Sequence, residues 1–171
     1  MEIKNPLSNF KFSKIQSIGF YGCGHMGEAV LEGVMAPKFG RPAKVVIVGR
    51  DLGKLGKIEK KYPVKTSNTA SALKECDVIL LGFKPQNLVD IPEFKSRGKI
   101  IISMLAGTDI ERIKEVFPGG RYVRTMPNLG QSVGAGMTGL YFGASKFKSE
   151  EKDSIIELFH ALLTLHNEIN E

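Results

Sequence analysis

The sequence of 171 residues predicts an α/β fold with a doubly wound, mostly parallel sheet and helices on both faces. Short runs of β-branched and other apolar residues recur along the chain, and segments with apolar residues at helical spacing lie between them. Several of the runs are apolar nearly throughout, as parallel strands covered on both faces are. Alternation of the two kinds of segment is typical of a parallel sheet.

The predicted elements alternate in chain order. The expected strands are Ser17–Tyr21, Lys44–Val48, a weaker one at Val64–Thr66, Asp77–Leu81, Lys99–Ser103 and Arg121–Arg124. The expected helices between them are Glu28–Met35, Leu52–Lys61, Thr69–Cys76 and Asp109–Val116. Asp51, Asn68 and Thr108 stand where helix N-caps are required, and the segment TDIE that begins at Thr108 has the form of a capping box.

The pattern changes after Arg124. The segment TMPNLGQSVGAGMTGLYFG is rich in Gly and Pro, and it contains one expected strand at Met137–Phe142. A final helix is expected at Ser149–Leu165, followed by a few polar residues. No internal linker or low-complexity tract is visible, so we expect an N-terminal extension at residues 1–14 and one domain at residues 15–171.

The composition argues against several classes of function. The net charge is +6, but the lysines and arginines are scattered and Trp is absent, which argues against a nucleic-acid surface. No apolar run approaches the about 20 residues that cross a bilayer, and the N-terminus does not resemble a signal peptide. Cys23 and Cys76 are too few for a disulfide framework and read as small buried residues. We expect a soluble, cytoplasmic protein without a metal, a membrane or a nucleic-acid partner.

A glycine-rich turn is the strongest functional signal. Gly22–Gly27 reads GCGHMG, which matches G-x-G-x-x-G, and an apolar strand runs into it while a helix runs out. Gly22 permits the tight turn, Gly24 removes a side chain where a pyrophosphate approaches, and Gly27 allows close helix–strand packing. This context favours a Rossmann-like dinucleotide site over a purely structural turn, with the helix start holding the pyrophosphate.

The residues at the end of the second predicted strand indicate whether the cofactor is NAD or NADP. NAD-binding sites usually offer a carboxylate there for the ribose, whereas a nearby arginine accommodates the 2′-phosphate of NADP. Here the strand ends VIVGRD: Gly49 occupies the expected place of the acid, Arg50 follows, and Asp51 reads as a helix cap. The pattern favours NADP, with NADPH preferred over NADH; the alternative for Arg50 is a solvated surface residue.

Four segments together resemble the pyrroline-5-carboxylate reductase family, specifically its N-terminal NADP-binding domain. They read IGFYGCGHMGEAVLEGVM, TSNTASALKECDVILLGFKPQ, IISMLAGTDIERI and RYVRTMPNLGQSVGAGMTGLY. The resemblance covers about residues 15–171. The pairing of FKPQ with RTMPN is more specific than the glycine motif, which many reductases share.

The resemblance implies binding residues on the loops that follow strand ends. The implied cofactor-binding residues are Gly22, Gly24, His25 and Met26 at the pyrophosphate, Arg50 at the 2′-phosphate, Asn68 on the adenosine side, Phe83, Lys84 and Pro85 along the cofactor, and Ala106 and Gly107 at the nicotinamide ribose. The implied substrate-side residues are Met126, Pro127 and Asn128. No catalytic residue can be nominated.

The implied reaction is NADPH-dependent reduction of 1-pyrroline-5-carboxylate, a cyclic imine, to L-proline. The chain departs from the family at Leu129–Gly130, where Thr-Pro is common, and it ends before the family's helical C-terminal domain. That domain forms the dimer and most of the imine pocket, so we expect weak or no turnover, and a homo-oligomer only by another surface. The alternatives are a β-hydroxyacid dehydrogenase, a deazaflavin-linked NADP reductase, or a non-catalytic NADP-binding or interaction module.

Overall fold

The computed structural model describes residues 15–35, 42–128 and 137–169. The strands are β1 (Ser17–Tyr21), β2 (Lys44–Val48), β3 (Lys65–Ser67), β4 (Val78–Leu81), β5 (Ile100–Ser103), β6 (Arg121–Asn128) and β7 (Met137–Tyr141). The α-helices are α1 (His25–Met35), α2 (Leu52–Lys61), α3 (Ile110–Val116) and α4 (Ser149–Ile169), and two 3₁₀ helices span Ala70–Glu75 and Pro85–Asp90. The predicted N-terminal extension and Leu129–Gly130 lie outside the described residues.

These strands form one sheet in the order β3-β2-β1-β4-β5-β6-β7. Pairs from β3 to β6 are parallel, and β7 runs antiparallel to β6. The chain therefore builds the sheet outward in two directions from β1, with β2 on one side and β4 on the other. The predicted fold class, a doubly wound, mostly parallel sheet, is confirmed.

Alternate strand residues point to two apolar cores, one on each face of the sheet. The first core packs the sheet against α1, α2 and α4, and its members include Ile18, Phe20, Leu31, Ile47, Leu55 and Phe159. The second packs it against α3 and the two 3₁₀ helices, and its members include Val46, Leu73, Ile79, Leu88 and Ile113. Both faces are covered, which explains why the central strands are apolar nearly throughout.

The helix caps were predicted with mixed success. Asp51 caps α2 as expected, since its carboxylate accepts the backbone N–H of Lys54 at 2.9 Å. The prediction for Thr108 was wrong, because its buried hydroxyl donates to the carbonyl of Ala106 and Asp109 caps α3 instead. The N-terminus of α3 is therefore capped by one aspartate and not by the predicted capping box.

The prediction for Asn68 was also wrong. Thr69 precedes the 3₁₀ helix Ala70–Glu75 and makes no side-chain cap hydrogen bond. Its hydroxyl instead lies 3.1 Å from that of Ser67 and 3.0 Å from that of Ser71. Between β3 and β4, six residues form this tighter 3₁₀ helix rather than the expected longer helix Thr69–Cys76.

Strand β6 extends beyond its predicted end at Arg124. Pairing with β5 stops at Arg124, but the antiparallel ladder with β7 continues to the pair Asn128–Met137. Pro127 is tolerated there because that part of β6 has β7 as its one partner strand among the described residues. Met126, Pro127 and Asn128 therefore belong to a strand, whereas the sequence placed them in the Gly- and Pro-rich segment that follows one.

The packing of α4 generates a stability prediction. Phe159 is 2% exposed in the first core, whereas Ile156 on the same helix is 46% exposed. Phe159→Ala should lower the free energy of unfolding by about 3–5 kcal/mol through the cavity it leaves. Ile156→Ala, the matched control, should cost less than about 1 kcal/mol in the same urea titration. Equal losses would contradict the described packing of α4.

Candidate nucleotide-binding site

A cleft opens over the carboxyl ends of β1, β2 and β4, where the strand order reverses. It consists of two adjoining volumes of about 550 and 370 Å³. Five residues line both volumes: Gly22, Gly49, Arg50, Phe83 and Asn87. The larger volume also contacts Gly24, Asp51, Lys54, Gly82 and Lys84, and the smaller contacts Tyr21 and Asn68.

The glycine turn is held by backbone contacts with the neighbouring strand ends. Gly22 has φ of 80°, a conformation that favours glycine, and its N–H donates to the carbonyl of Val48 at 2.7 Å. A Cβ at Gly22 would lie 2.7 Å from the backbone nitrogen of Phe83. A Cβ at Gly82 would lie 2.7 Å from the carbonyl oxygen of Gly22. These two backbones therefore cross with no room for a side chain.

Gly24 has a different environment. It is exposed, and a Cβ there would lie an ordinary 3.5 Å from the carbonyl oxygen of Gly82. Packing within the protein therefore does not require glycine at this position, which fits a ligand that must come close to the backbone. The first hydrogen bond of α1 runs from the N–H of Glu28 to Gly24, so the preceding amides of the first turn have no acceptor within the helix. This arrangement fits a phosphate group.

Cationic side chains surround the cleft. Arg50 and Lys84 are exposed on its rim, and neither forms a salt bridge with another described residue. Lys54 also lines it, with its ammonium 3.7 Å from the Glu28 carboxylate. The cleft is therefore suited to an anionic ligand, and Arg50 and Lys84 are available to pair with it.

Tyr21 and Phe83 form the aromatic wall of the smaller volume. Their rings meet edge to face, with centroids 5.4 Å apart. Burial raises the pKa of the Tyr21 hydroxyl, and the nearby Arg50 guanidinium opposes that rise in part. The hydroxyl therefore stays protonated at neutral pH. An apolar wall beside polar groups suits a flat heteroaromatic ring.

Cys23 lies inside the glycine turn, and its buried thiol is a poor nucleophile at neutral pH. Burial raises the pKa of its thiol to about 11, Lys54 opposes the rise and Glu28 adds to it. Both Cys23 and Cys76 are buried and free, as their sequence context predicted. Within the described ranges, no group of three or more His, Cys, Asp or Glu could hold a metal ion.

The remaining predicted binding residues lie along the same edge of the sheet but outside the lining of these two volumes. His25 and Met26 begin α1, and Pro85 begins the second 3₁₀ helix. Ala106 and Gly107 are exposed in the turn after β5, where Gly107 has φ of 65°.

Met126 on β6 is 66% exposed, and Pro127 and Asn128 follow it in the strand. The structure thus gathers Gly22, Gly24, Arg50, Asn68, Phe83 and Lys84 in one cleft, while the nicotinamide-side residues stay a prediction.

Several lining residues were missed by the sequence prediction. Gly82 follows β4 directly. A glycine immediately after a predicted strand, in LGFKP, was the sequence feature that could have identified it. Lys54 and Asn87 enter the cleft from α2 and from the second 3₁₀ helix. No motif marks either residue, because its position depends on how two separate elements pack.

Comparison with known proteins identifies the family. A family model described as NADP oxidoreductase, coenzyme F420-dependent, matches residues 17–107, which include the glycine turn, Arg50 and the loop after β4. The chain belongs to this family. Among the helices in the part of the chain that the structure describes, none is long and apolar enough to cross a membrane.

The chain is also similar to pyrroline-5-carboxylate reductases, as its motifs indicated. The enzyme of that name from Synechocystis is 33% identical over 127 residues, which are 72% of this chain and 48% of the relative. The structure of a pyrroline-5-carboxylate reductase from Coxiella burnetii aligns with this chain at a TM-score of 0.69 and 26% identity. The alignment covers 85% of this chain and 56% of that one.

A Plasmodium falciparum pyrroline carboxylate reductase with NADP bound shares the fold, with a TM-score of 0.66 at 23% identity over 91% and 56% of the two chains. This chain spans about half the length of the curated relatives it matches.

The glycine contacts predict that two similar substitutions differ in their effect on stability. Gly82→Ala should lower the free energy of unfolding by about 1–3 kcal/mol, because its Cβ meets backbone that cannot move freely. Gly24→Ala should change it by less than about 0.5 kcal/mol. Urea unfolding of both variants tests this pair, and a larger loss in Gly24→Ala would contradict the described turn.

The raised pKa of Cys23 predicts slow alkylation. At pH 8 iodoacetamide should modify Cys23 about 100-fold more slowly than in the urea-unfolded chain, as measured by peptide mass spectrometry. Because the thiol has a higher pKa in the folded chain than in the unfolded chain, the folded state favours its neutral form. Its contribution to the free energy of unfolding is fully present below the unfolded pKa of about 8.5, and it is lost as the pH rises through the folded pKa of about 11. Rapid labelling of folded Cys23 at pH 8 would contradict its burial.

Proposed function

We propose that this chain is the NADP-binding part of an imine reductase that converts 1-pyrroline-5-carboxylate to L-proline. The observation that carries the proposal is the glycine turn, with its open Gly24 position, beside Arg50 in the cleft. The similarity to enzymes named pyrroline-5-carboxylate reductase supports the substrate class. Those relatives are about twice as long, so both the activity and the substrate are proposals for this chain.

The order of these groups along the sheet edge supports one orientation of the cofactor. Arg50 would bind the 2′-phosphate, and the amides around Gly24 and His25 would bind the pyrophosphate. Asn68 would contact the adenosine side, and Phe83, Lys84 and Pro85 would lie along the cofactor.

The nicotinamide would extend toward Ala106 and Gly107 after β5, with Met126, Pro127 and Asn128 toward the substrate. When bound, NADPH would supply the hydride that the imine carbon accepts, and solvent would supply the proton that the imine nitrogen takes up.

Two features favour this function over its alternatives. The reductases reported above carry an imine substrate in their name, which favours imine reduction over the deazaflavin-linked and hydroxyacid reactions. Arg50 favours NADPH over NADH, since it lies in the cleft without an ion pair to another described residue. A cytoplasmic location and a homo-oligomer stay predictions.

The test is titration of the purified chain with NADPH and NADH by fluorescence or calorimetry. Arg50→Ala should weaken NADPH binding about 10- to 100-fold, because it removes a charge-assisted contact with the 2′-phosphate, and should leave NADH binding within about threefold. Arg112→Ala, an exposed arginine on α3, is the matched control and should change neither.

The outcomes separate the parts of the proposal. Binding of neither nucleotide would refute a cofactor-binding role. Equal weakening of NADPH and NADH would show that Arg50 does not contact the 2′-phosphate. NADPH oxidation with 1-pyrroline-5-carboxylate, measured on the same preparation, distinguishes a reductase from a non-catalytic NADP-binding module.

A further inference from the structure

A carboxylate shares the cleft with Arg50. Asp51 is exposed and lines the larger volume together with Arg50. One of its oxygens, Oδ1, accepts the N–H of Lys54 at 2.9 Å and so caps α2. Among the described residues, its other oxygen takes part in no hydrogen bond. The helix cap therefore leaves half of this carboxylate available to a ligand.

Its carboxylate forms no ion pair with another described residue. No nitrogen of a described Lys, Arg or His side chain forms a salt bridge, within 4 Å, with a carboxylate oxygen of Asp51. Arg50, the adjacent residue, forms no ion pair with it, and the ammonium of Lys54 lies near Glu28 instead. The cleft thus presents a guanidinium and a carboxylate on consecutive residues after β2.

These two groups have opposite effects on the two nicotinamide cofactors. An acid after the second strand accepts hydrogen bonds from the ribose hydroxyls of NAD, whereas an arginine there attracts the 2′-phosphate of NADP. A carboxylate near a phosphate with a charge of about −1.5 to −2 also repels it. Arg50 alone would therefore give a strong preference for NADPH, and Asp51 opposes that preference.

We propose that Asp51 is a specificity-determining residue that limits the preference of this chain for NADPH and lets it bind NADH as well. The proposal rests on the proposed function, because it assumes that the cleft holds the adenosine end of a dinucleotide. It assigns two roles to one side chain: Oδ1 caps the helix, and the remaining carboxylate charge acts on the ribose position.

Asp51→Asn separates these roles, because asparagine caps helices about as well as aspartate but carries no charge. Dissociation constants are measured for NADPH and NADH, and also for adenosine 2′,5′-bisphosphate and 5′-AMP, which report on the adenosine end alone. We expect the NADPH to NADH affinity ratio to rise roughly tenfold in Asp51→Asn, with less gain at high salt. The bisphosphate to AMP ratio should rise by a similar factor.

Asp109→Asn is the matched control. Asp109 caps α3 through the same contact, a carboxylate oxygen that accepts a backbone N–H at 2.8 Å, and it does not line the cleft. This variant removes an equal charge from an equivalent cap, so it should leave both ratios unchanged. Asp51→Ser, a second capping variant without charge, should raise the ratios as Asp51→Asn does and keeps the test open if the asparagine variant folds poorly.

The remaining outcomes overturn the inference in distinguishable ways. Unchanged ratios in Asp51→Asn and Asp51→Ser, in a chain that binds both nucleotides, would refute the role of Asp51 alone. An equal gain for NADPH and NADH would indicate a general charge effect and would refute it too. Failure of the parent chain to bind any of the four ligands would overturn the proposed function and this inference with it.

Discussion

The site depends on the close crossing of two backbones, at Gly22 and Gly82. Hydrogen bonding continues one residue beyond each strand here: the N–H of Gly22 donates to β2, and the N–H of Gly82 donates to Tyr21 at the end of β1. Because no Cβ fits between them, the glycine turn and the loop after β4 are fixed against each other. A rigid turn at the centre allows the more exposed groups around it to be placed accurately.

The side chains around that crossing belong to residues that also have structural roles. Arg50 and Asp51 leave β2 together, and the second of them starts α2. Phe83 meets Tyr21 edge to face and lines both volumes of the cleft. Lys84 precedes the second 3₁₀ helix. Binding groups therefore sit at the points where strands end and helices begin, and the fold itself holds them in place.

The sequence was informative wherever local chemistry decides the structure. Apolar runs marked the central strands, the glycine pattern marked the turn, and Asp51 marked the start of α2. It failed where a distant partner decides, since β6 is longer than predicted because β7 continues its ladder. It also failed at the start of α3, where the Thr108 hydroxyl donates to the nearby carbonyl of Ala106 and Asp109 caps the helix. The Gly22–Gly82 contact joins residues 60 positions apart, so no local pattern could reveal it.

The position of Asp51 also bears on how this site can change during evolution. A residue that starts a helix is restricted to a small set of side chains, chiefly Asp, Asn, Ser, Thr and Gly. Within that set Asp alone carries a charge, so replacements that preserve the helix also remove the charge beside Arg50. Codons for Asp and Asn differ by a single base. The electrostatic character of the cleft can therefore drift through folded intermediates, without passing through an unstable protein.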